Sequence, residues 1–300
     1  MSFNDDARID SSKVRRRGRG RTTGIAAGGT GVVAIIVVAL INQFTGVNLS
    51  GLLDGTSTGS GSPDQIAAAP LEGCETGADA NASIDCRMAG AADSLDTYWS
   101  TEAAQLGVGD YVTPDFFLFT AAVDTGCGSA TSATGPFYCP PDQALYVDTD
   151  FFDQLREQYG ASAGPLAQMY VVGHEWGHHI QQLTGAFDRA DRSATGPGSD
   201  TIRLEVQADC YAGAWVGAAT TVADDAGTTF LEPVTDAQIA DALDAAAAVG
   251  DDRIQEASGG RVDSDTWTHG SAEQRQRWFD TGRAGGAGAC DTFAVPTERL

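Results

Sequence analysis

Three of the four histidines in this 300-residue chain fall within one short stretch, VVGHEWGHHIQ, Val171–Gln181. Two of them bracket a glutamate as His174-Glu175-Trp176-Gly177-His178. On a helix, residues four apart share a face, so the imidazoles of His174 and His178 point the same way, one turn apart. Neutral imidazole is a zinc ligand, and two at this spacing can grip one ion. Glu175, one step round the helix, is placed to take a proton from a water activated by that ion. A chain with these His and Glu contents spells H-E-x-x-H by chance only about 0.002 of the time, so the motif is read as chemistry. The competing reading is two core histidines satisfied by carbonyls. His179 points roughly 100° away from His178 and is read as a histidine of another face.

A catalytic zinc needs a third protein ligand. The metzincin pattern would require Gly at 181 and His at 184; the chain has Gln181 and Thr184, which excludes that class. The run RLEVQADCYAGAW, Arg203–Trp215, offers Glu205 and Asp209, again four apart. Glu205 is expected to bind the metal. Asp209 is expected to accept the N–H of a ligating histidine and fix its tautomer, and is the reserve ligand. Leu204, Val206, Ala208, Cys210, Tyr211 and Trp215 surround the two acids, so burial is expected, and a buried acid needs a metal or a partner. An E-x-x-x-D on a second helix is how gluzincin peptidases complete their site. The last histidine, His269, lies in DTWTHGSAEQRQRWF, Asp265–Phe279, just ahead of a predicted helix. It is a candidate donor to an oxyanion; the alternative is an ordinary loop histidine.

These side chains need rigid elements. Pro165–Thr184 has Pro in its first turn and Gly185 just past its end, and its apolar residues occur all round, which predicts a buried central helix. Further helices are expected over Met88–Leu106, Phe151–Tyr159, Asp200–Ala223, from the capping box Thr235-Asp-Ala-Gln238, and from Ser271 through Arg283. Phe116–Thr120 and Ala144–Val147 read as short strands. The second of these is expected to be an edge strand that holds an extended peptide. Ala186–Ser199 reads as a polar loop.

The charge is asymmetric. The chain carries −23 overall, yet residues 1–23 are net +4 and everything from Thr45 onward is net −27. An acidic body repels nucleic acid, so DNA and RNA are excluded as partners. Gly24–Leu40 is uncharged and apolar, and Ile41–Phe44 extends it to the length of a membrane span. Arg15, Arg16, Arg17, Arg19 and Arg21 just before it predict a cytoplasmic N-terminus and an extracytoplasmic body. The expected layout is a basic cytoplasmic head (1–23), a single transmembrane helix (24–44), a Gly/Ser/Thr-rich linker (45–70) and a folded domain (71–300). All six cysteines follow the apolar stretch, and spacing suggests the local pairs Cys74 with Cys86 and Cys127 with Cys139, leaving Cys210 and Cys290, as extracytoplasmic disulfides.

Taken together, GHEWGHHIQ, EVQADCYAGAW and THGSAEQRQRWF resemble the bacterial neutral zinc metallopeptidase family. GPFYCPPDQALYVD, Gly135–Asp148, is similar to that family's segment ahead of the active-site helix. The resemblance covers about residues 70–295, and the anchor and linker resemble the family's usual layout. It implies a zincin-like α+β domain, mainly helical with a small sheet. It also implies one zinc ion per chain at His174, His178 and Glu205, with Glu175 as general base. The expected activity is a membrane-anchored zinc endopeptidase acting on protein or peptide substrates. The alternatives are a membrane-tethered binding or scaffold protein, and a zinc amidase acting on cell-wall peptides.

Overall fold

Pro165–Leu183, apolar on every side in sequence, forms a helix in the computed structural model whose residues from Val172 to Gln181 are all buried. The structure describes residues 2–17, 68–159, 162–257 and 261–300. In chain order these give strands β1 (Val14–Arg16) and β2 (Ala69–Pro70), then helices α1 (Gly77–Ala82) and α2 (Ile84–Glu102). Strands β3 (Asp115–Phe119), β4 (Ala122–Thr125), β5 (Gly128–Thr131), β6 (Phe137–Cys139) and β7 (Ala144–Asp148) follow. The rest is helical: α3 (Phe151–Tyr159), α4 (Pro165–Leu183), α5 (Ala186–Arg189), α6 (Asp200–Ala218), α7 (Asp236–Ala248), α8 (Asp251–Ala257) and α9 (Ala272–Gly285). The mixed, mainly helical class with a small sheet is the one expected.

Local chemistry sets the helix ends. Pro165 occupies the first turn of α4, and Gly185 follows it at φ 69°, a left-handed position that suits glycine. Thr235 and Gln238 form the anticipated capping box on α7, and Ser271 and Gln274 form another on α9. Helix α6 stops at Ala218 instead of running on to Ala223. The chain turns there because Val222 accepts a hydrogen bond from the Phe230 N–H (3.0 Å) and Ala223 pairs with Thr229. The loop expected over Ala186–Ser199 contains the short helix α5.

The sheet runs in the order β2-β1-β3-β7-β6. Strands β1, β3 and β7 are parallel, and β2 and β6 close the two ends antiparallel. Side chains alternate between faces. Phe116, Leu118, Leu145, Val147 and Tyr138 join the main helical core, while Phe117, Phe119, Phe137 and Tyr146 pack with Val123 and Ala130 of the β4–β5 hairpin. Strand β7 therefore lies inside the sheet, bonded on both sides. The expectation that Ala144–Val147 forms an edge is wrong; among the described residues the outermost strand on that side of the sheet is β6. The reason is that β3 takes up one side of β7 and the GPFYC segment folds back along the other.

The disulfides Cys74–Cys86 and Cys127–Cys139 form as the spacing suggested, the two remaining cysteines form Cys210–Cys290, and no cysteine is free. Cys127–Cys139 ties the hairpin to β6. Cys210–Cys290 ties α6 to the C-terminal loop.

The N-terminal residues hold a surprise. Residues 2–17, set apart in sequence as the front of a basic head, pack onto the same body as residues 68–300, with β1 inside the sheet and Phe3 only 2% exposed. Arg19, Arg21, the apolar stretch 24–44 and the linker up to residue 67 lie outside the described residues. Among the described residues no helix is long and apolar enough to cross a membrane.

Candidate metal centre

Helices α4 and α6 cross at their smallest residues. A Cβ on Gly177 would fall 2.9 Å from the Ala208 Cα and 3.0 Å from its carbonyl oxygen, and one on Gly173 would fall 3.3 Å from the Ala212 Cβ. Only glycine permits this approach on the α4 side. The crossing point sits between His174 and His178 on one helix and between Glu205 and Asp209 on the other, so it brings the four side chains together.

The ligand atoms meet the demands of a small cation. His174 Nε2 lies 3.4 Å from Glu205 Oε2, and His178 Nε2 lies 3.6 Å from Glu205 Oε1. One ligand atom from each of the three residues lies within 4.8 Å of the others, and all three residues are buried. A tetrahedral zinc with bonds near 2.0–2.1 Å separates its ligands by about 3.4 Å, so the spacing fits. Glu205 Oε1 is buried without a hydrogen-bond partner, a costly state that a metal would relieve.

The Nδ1 atoms are fixed from behind. Asp209 Oδ1 accepts the His174 Nδ1–H at 2.8 Å, as expected, and Gln181 Oε1 accepts the His178 Nδ1–H at 2.8 Å. Both Nε2 atoms are left for the metal side. Gln181 is in turn held by the Leu204 carbonyl (2.6 Å) and by Gln207 (3.2 Å). Asp209 is fully buried and anchored by Arg275, whose Nε and Nη2 donate to its two oxygens at 2.8 and 2.9 Å, and by the Tyr170 hydroxyl. Arg275 arrives through a second tight seam. Gly213 and Gly217 of α6 and Gly282 of α9 face backbone carbonyls, where a Cβ would fall 2.0, 2.3 and 1.8 Å from the nearest oxygen.

The electrostatics call for a cation. Burial opposes charge on His174, but Asp209 and Glu205 outweigh it and push the imidazole up to about 10. Burial takes His178 down to about 4. Burial also opposes ionisation of Glu205, yet His174, His178 and His269 hold its carboxyl at about 2. In Asp209 the same opposition is overcome chiefly by Arg275, which keeps the carboxyl well below its usual range. Glu175, by contrast, is lifted by burial to about 7, against the pull of His174 and of a hydrogen bond from the Tyr138 backbone on β6.

His269 belongs to the same region. Its loop wraps the carboxylate of Asp251, at the start of α8. Asp251 Oδ2 accepts the backbone N–H groups of Thr268, His269 and Gly270 at 2.7, 2.6 and 3.0 Å, and Oδ1 pairs with His269 Nδ1 at 3.0 Å. Gly270, at φ 89°, leans on Ile202 and Val206, which flank Glu205 on α6. His269 is buried, and its pKa is raised because Asp251 overcomes the burial penalty. His179 faces elsewhere, as read from the sequence: its ring bonds the Tyr138 hydroxyl (2.9 Å) and the Val112 carbonyl (2.7 Å).

Four supporting residues escaped the sequence reading: Tyr170, Gln181, Asp251 and Arg275. Gln181 had a signal, since it stands three residues after His178 on the same helix face. Arg275 lies inside the quoted THGSAEQRQRWF run, yet nothing in its spacing names Asp209 as its partner.

Two histidines and a glutamate on crossing helices, with buried acceptors behind the imidazoles, define the class of centre that holds a divalent metal through nitrogen and oxygen. The comparison with known families agrees. The chain belongs to the family described as "Putative neutral zinc metallopeptidase", which matches residues 2–293. It is 49% identical over 227 residues to an uncharacterised protein of Mycobacterium tuberculosis H37Rv, covering 75% of this chain and 76% of that relative. It is 35% identical over 279 residues to the uncharacterised protein YpfJ of Escherichia coli K12, covering 88% and 87%. No solved structure matches.

Proposed function

We propose that this protein is a zinc peptidase that hydrolyses peptide bonds in protein or peptide substrates, with one zinc per chain held by His174, His178 and Glu205. The observation that carries the reading is the spacing of those three ligand atoms around a buried carboxylate oxygen that has no other partner. Zinc held there supplies a Lewis acid that polarises a carbonyl and acidifies water. Glu175, buried beside the ligand site, takes the proton from the attacking water and passes it to the leaving amine. His269, oriented by Asp251, donates to the oxyanion that develops on the substrate. Three disulfides support a body outside the cytoplasm.

The test uses the full chain, its zinc content and a peptide library. Wild type and Glu175→Gln should each hold one zinc, and Glu205→Ala should hold far less. Cleavage should fall about 10²–10⁴-fold in Glu175→Gln. A wild-type chain that takes up no zinc, or a Glu175→Gln chain that cleaves normally, refutes the proposal.

A further inference from the structure

We infer that residues 2–17 are a fixed part of the folded body and lie on the same side of any membrane as residues 68–300. Lys13, Arg15, Arg16 and Arg17 are then part of a structural arm of the domain, and their charges do not place the arm on the opposite side of a membrane from the body.

The body carries a socket built for this arm. The Phe3 ring lies over Gly90, where a Cβ would come 2.6 Å from the ring, and the Asn4 carbonyl lies over Gly77, where a Cβ would come within 1.9 Å. Asn81 bonds Phe3 in both directions, accepting its N–H and donating to its carbonyl, each at 2.9 Å. The Asn4 N–H reaches the Phe230 carbonyl, the Ile9 N–H reaches Glu75 and the Gly77 N–H reaches Ala7, each at 2.9 Å. Val14, fully buried, sits opposite Phe116 in the parallel β1–β3 pair.

The arm's charges are answered by the acidic body. Lys13 bridges Asp93 (2.6 Å) and Asp96 (2.9 Å), Arg15 pairs with Asp115, and Arg16 pairs with Asp85. The Arg17 guanidinium lies over the Phe117 ring, 4.0 Å from its centre. These are among the cations that a positive-inside reading assigns to the cytoplasmic surface. The family match, too, begins at residue 2.

Geometry makes the two readings exclusive. Arg16 is the Cα partner of Ala69, so the chain leaves and re-enters the sheet on neighbouring strands. Neighbouring strands lie about 4.8 Å apart, whereas a bilayer's hydrocarbon core is about 30 Å thick. A single crossing between residues 17 and 68 would put β1 and β3 on opposite sides.

The test is side-specific labelling of the full chain in spheroplasts. Asp6→Cys on the arm and Asp225→Cys on the body are both at exposed positions; each variant is treated with a membrane-impermeant maleimide before and after lysis. Ser2→Cys and Ala226→Cys provide second exposed positions on each part if a first variant misfolds. The expected result is the same pattern for arm and body, either both labelled in intact spheroplasts or both only after lysis. Labelling of the body in intact spheroplasts with labelling of the arm only after lysis, or the reverse, overturns the inference.

Discussion

Replacing Gly177 with alanine tests whether the helix crossing sets the metal site. The new methyl would stand 2.9 Å from the Ala208 Cα and 3.0 Å from its oxygen. Carbon atoms settle about 3.5–4.0 Å apart, so α6 must retreat by roughly 0.5–1 Å at that point. Glu205 is carried by the turn that moves. Its present separations of 3.4 and 3.6 Å from the two imidazoles would then approach about 4 Å or more, outside the ~0.2 Å tolerance of metal–ligand bonds. Overpacking costs about 1–3 kcal/mol, and the better helix propensity of alanine returns about 1 kcal/mol. The net loss of roughly 0–2 kcal/mol lowers Tm by no more than about 8 °C for a domain of this size. The expected result is thus a folded protein whose zinc affinity falls by about tenfold or more. Competition with a chelator of known affinity measures the second quantity, and calorimetry of the metal-free protein the first. Gly288→Ala, where the added methyl meets nothing within 4 Å, is the control. Wild-type zinc affinity in Gly177→Ala would refute the claim that this contact sets the ligand spacing.

Arg275→Met should strand the buried Asp209 carboxylate, costing about 3–5 kcal/mol and roughly 10–100-fold in zinc affinity, as read by thermal melts and chelator competition. Asp251→Asn should leave the zinc in place but change the pH profile of kcat. Asp251 raises the His269 pKa, so the protonated imidazole now persists to higher pH; without it the alkaline limb should move to lower pH, and an unmoved limb would remove His269 from the mechanism. Removing Cys210–Cys290 by a double alanine substitution should destabilise by about 4–5 kcal/mol, against about 3 kcal/mol for Cys74–Cys86. The first closes a separation of 80 residues and the second one of 12; denaturant melts under non-reducing conditions compare them.

What the sequence disclosed follows from how far apart the cooperating residues lie. The pairs His174/His178 and Glu205/Asp209 each sit one turn apart on a single helix, so periodicity alone places them on common faces. Their meeting was harder to see, yet its signal is local too: Gly177 between the histidines and Ala208 between the acids. Arg275 and Asp251 reach their partners only through tertiary packing, across the α6–α9 glycine seam and a loop fold, and neither spacing nor composition reports that. Strand order was hidden for the same reason, because β1 enters the sheet from a distant part of the chain. The packing of residues 2–17 onto the body was hidden because Gly77 and Gly90, the residues that receive the arm, lie more than seventy positions from Phe3, while the arginines beside the apolar stretch give a strong nearby signal.

That placement of β1 also fixes a timetable for the growing chain. Val14 leaves the ribosome about a hundred residues before Phe116, its partner across the ladder, and at roughly 5–20 residues per second the interval is about 5–20 s. Phe3 waits longer still for Phe230 and Leu231. Strand β1 is therefore without its β3 partner through much of synthesis, with its hydrogen-bonding edges open to any other strand nearby. In that interval Lys13, Arg15 and Arg16 lack the Asp93, Asp96, Asp115 and Asp85 carboxylates that later pair with them, so like charges on the unpaired strands of two nascent chains repel each other.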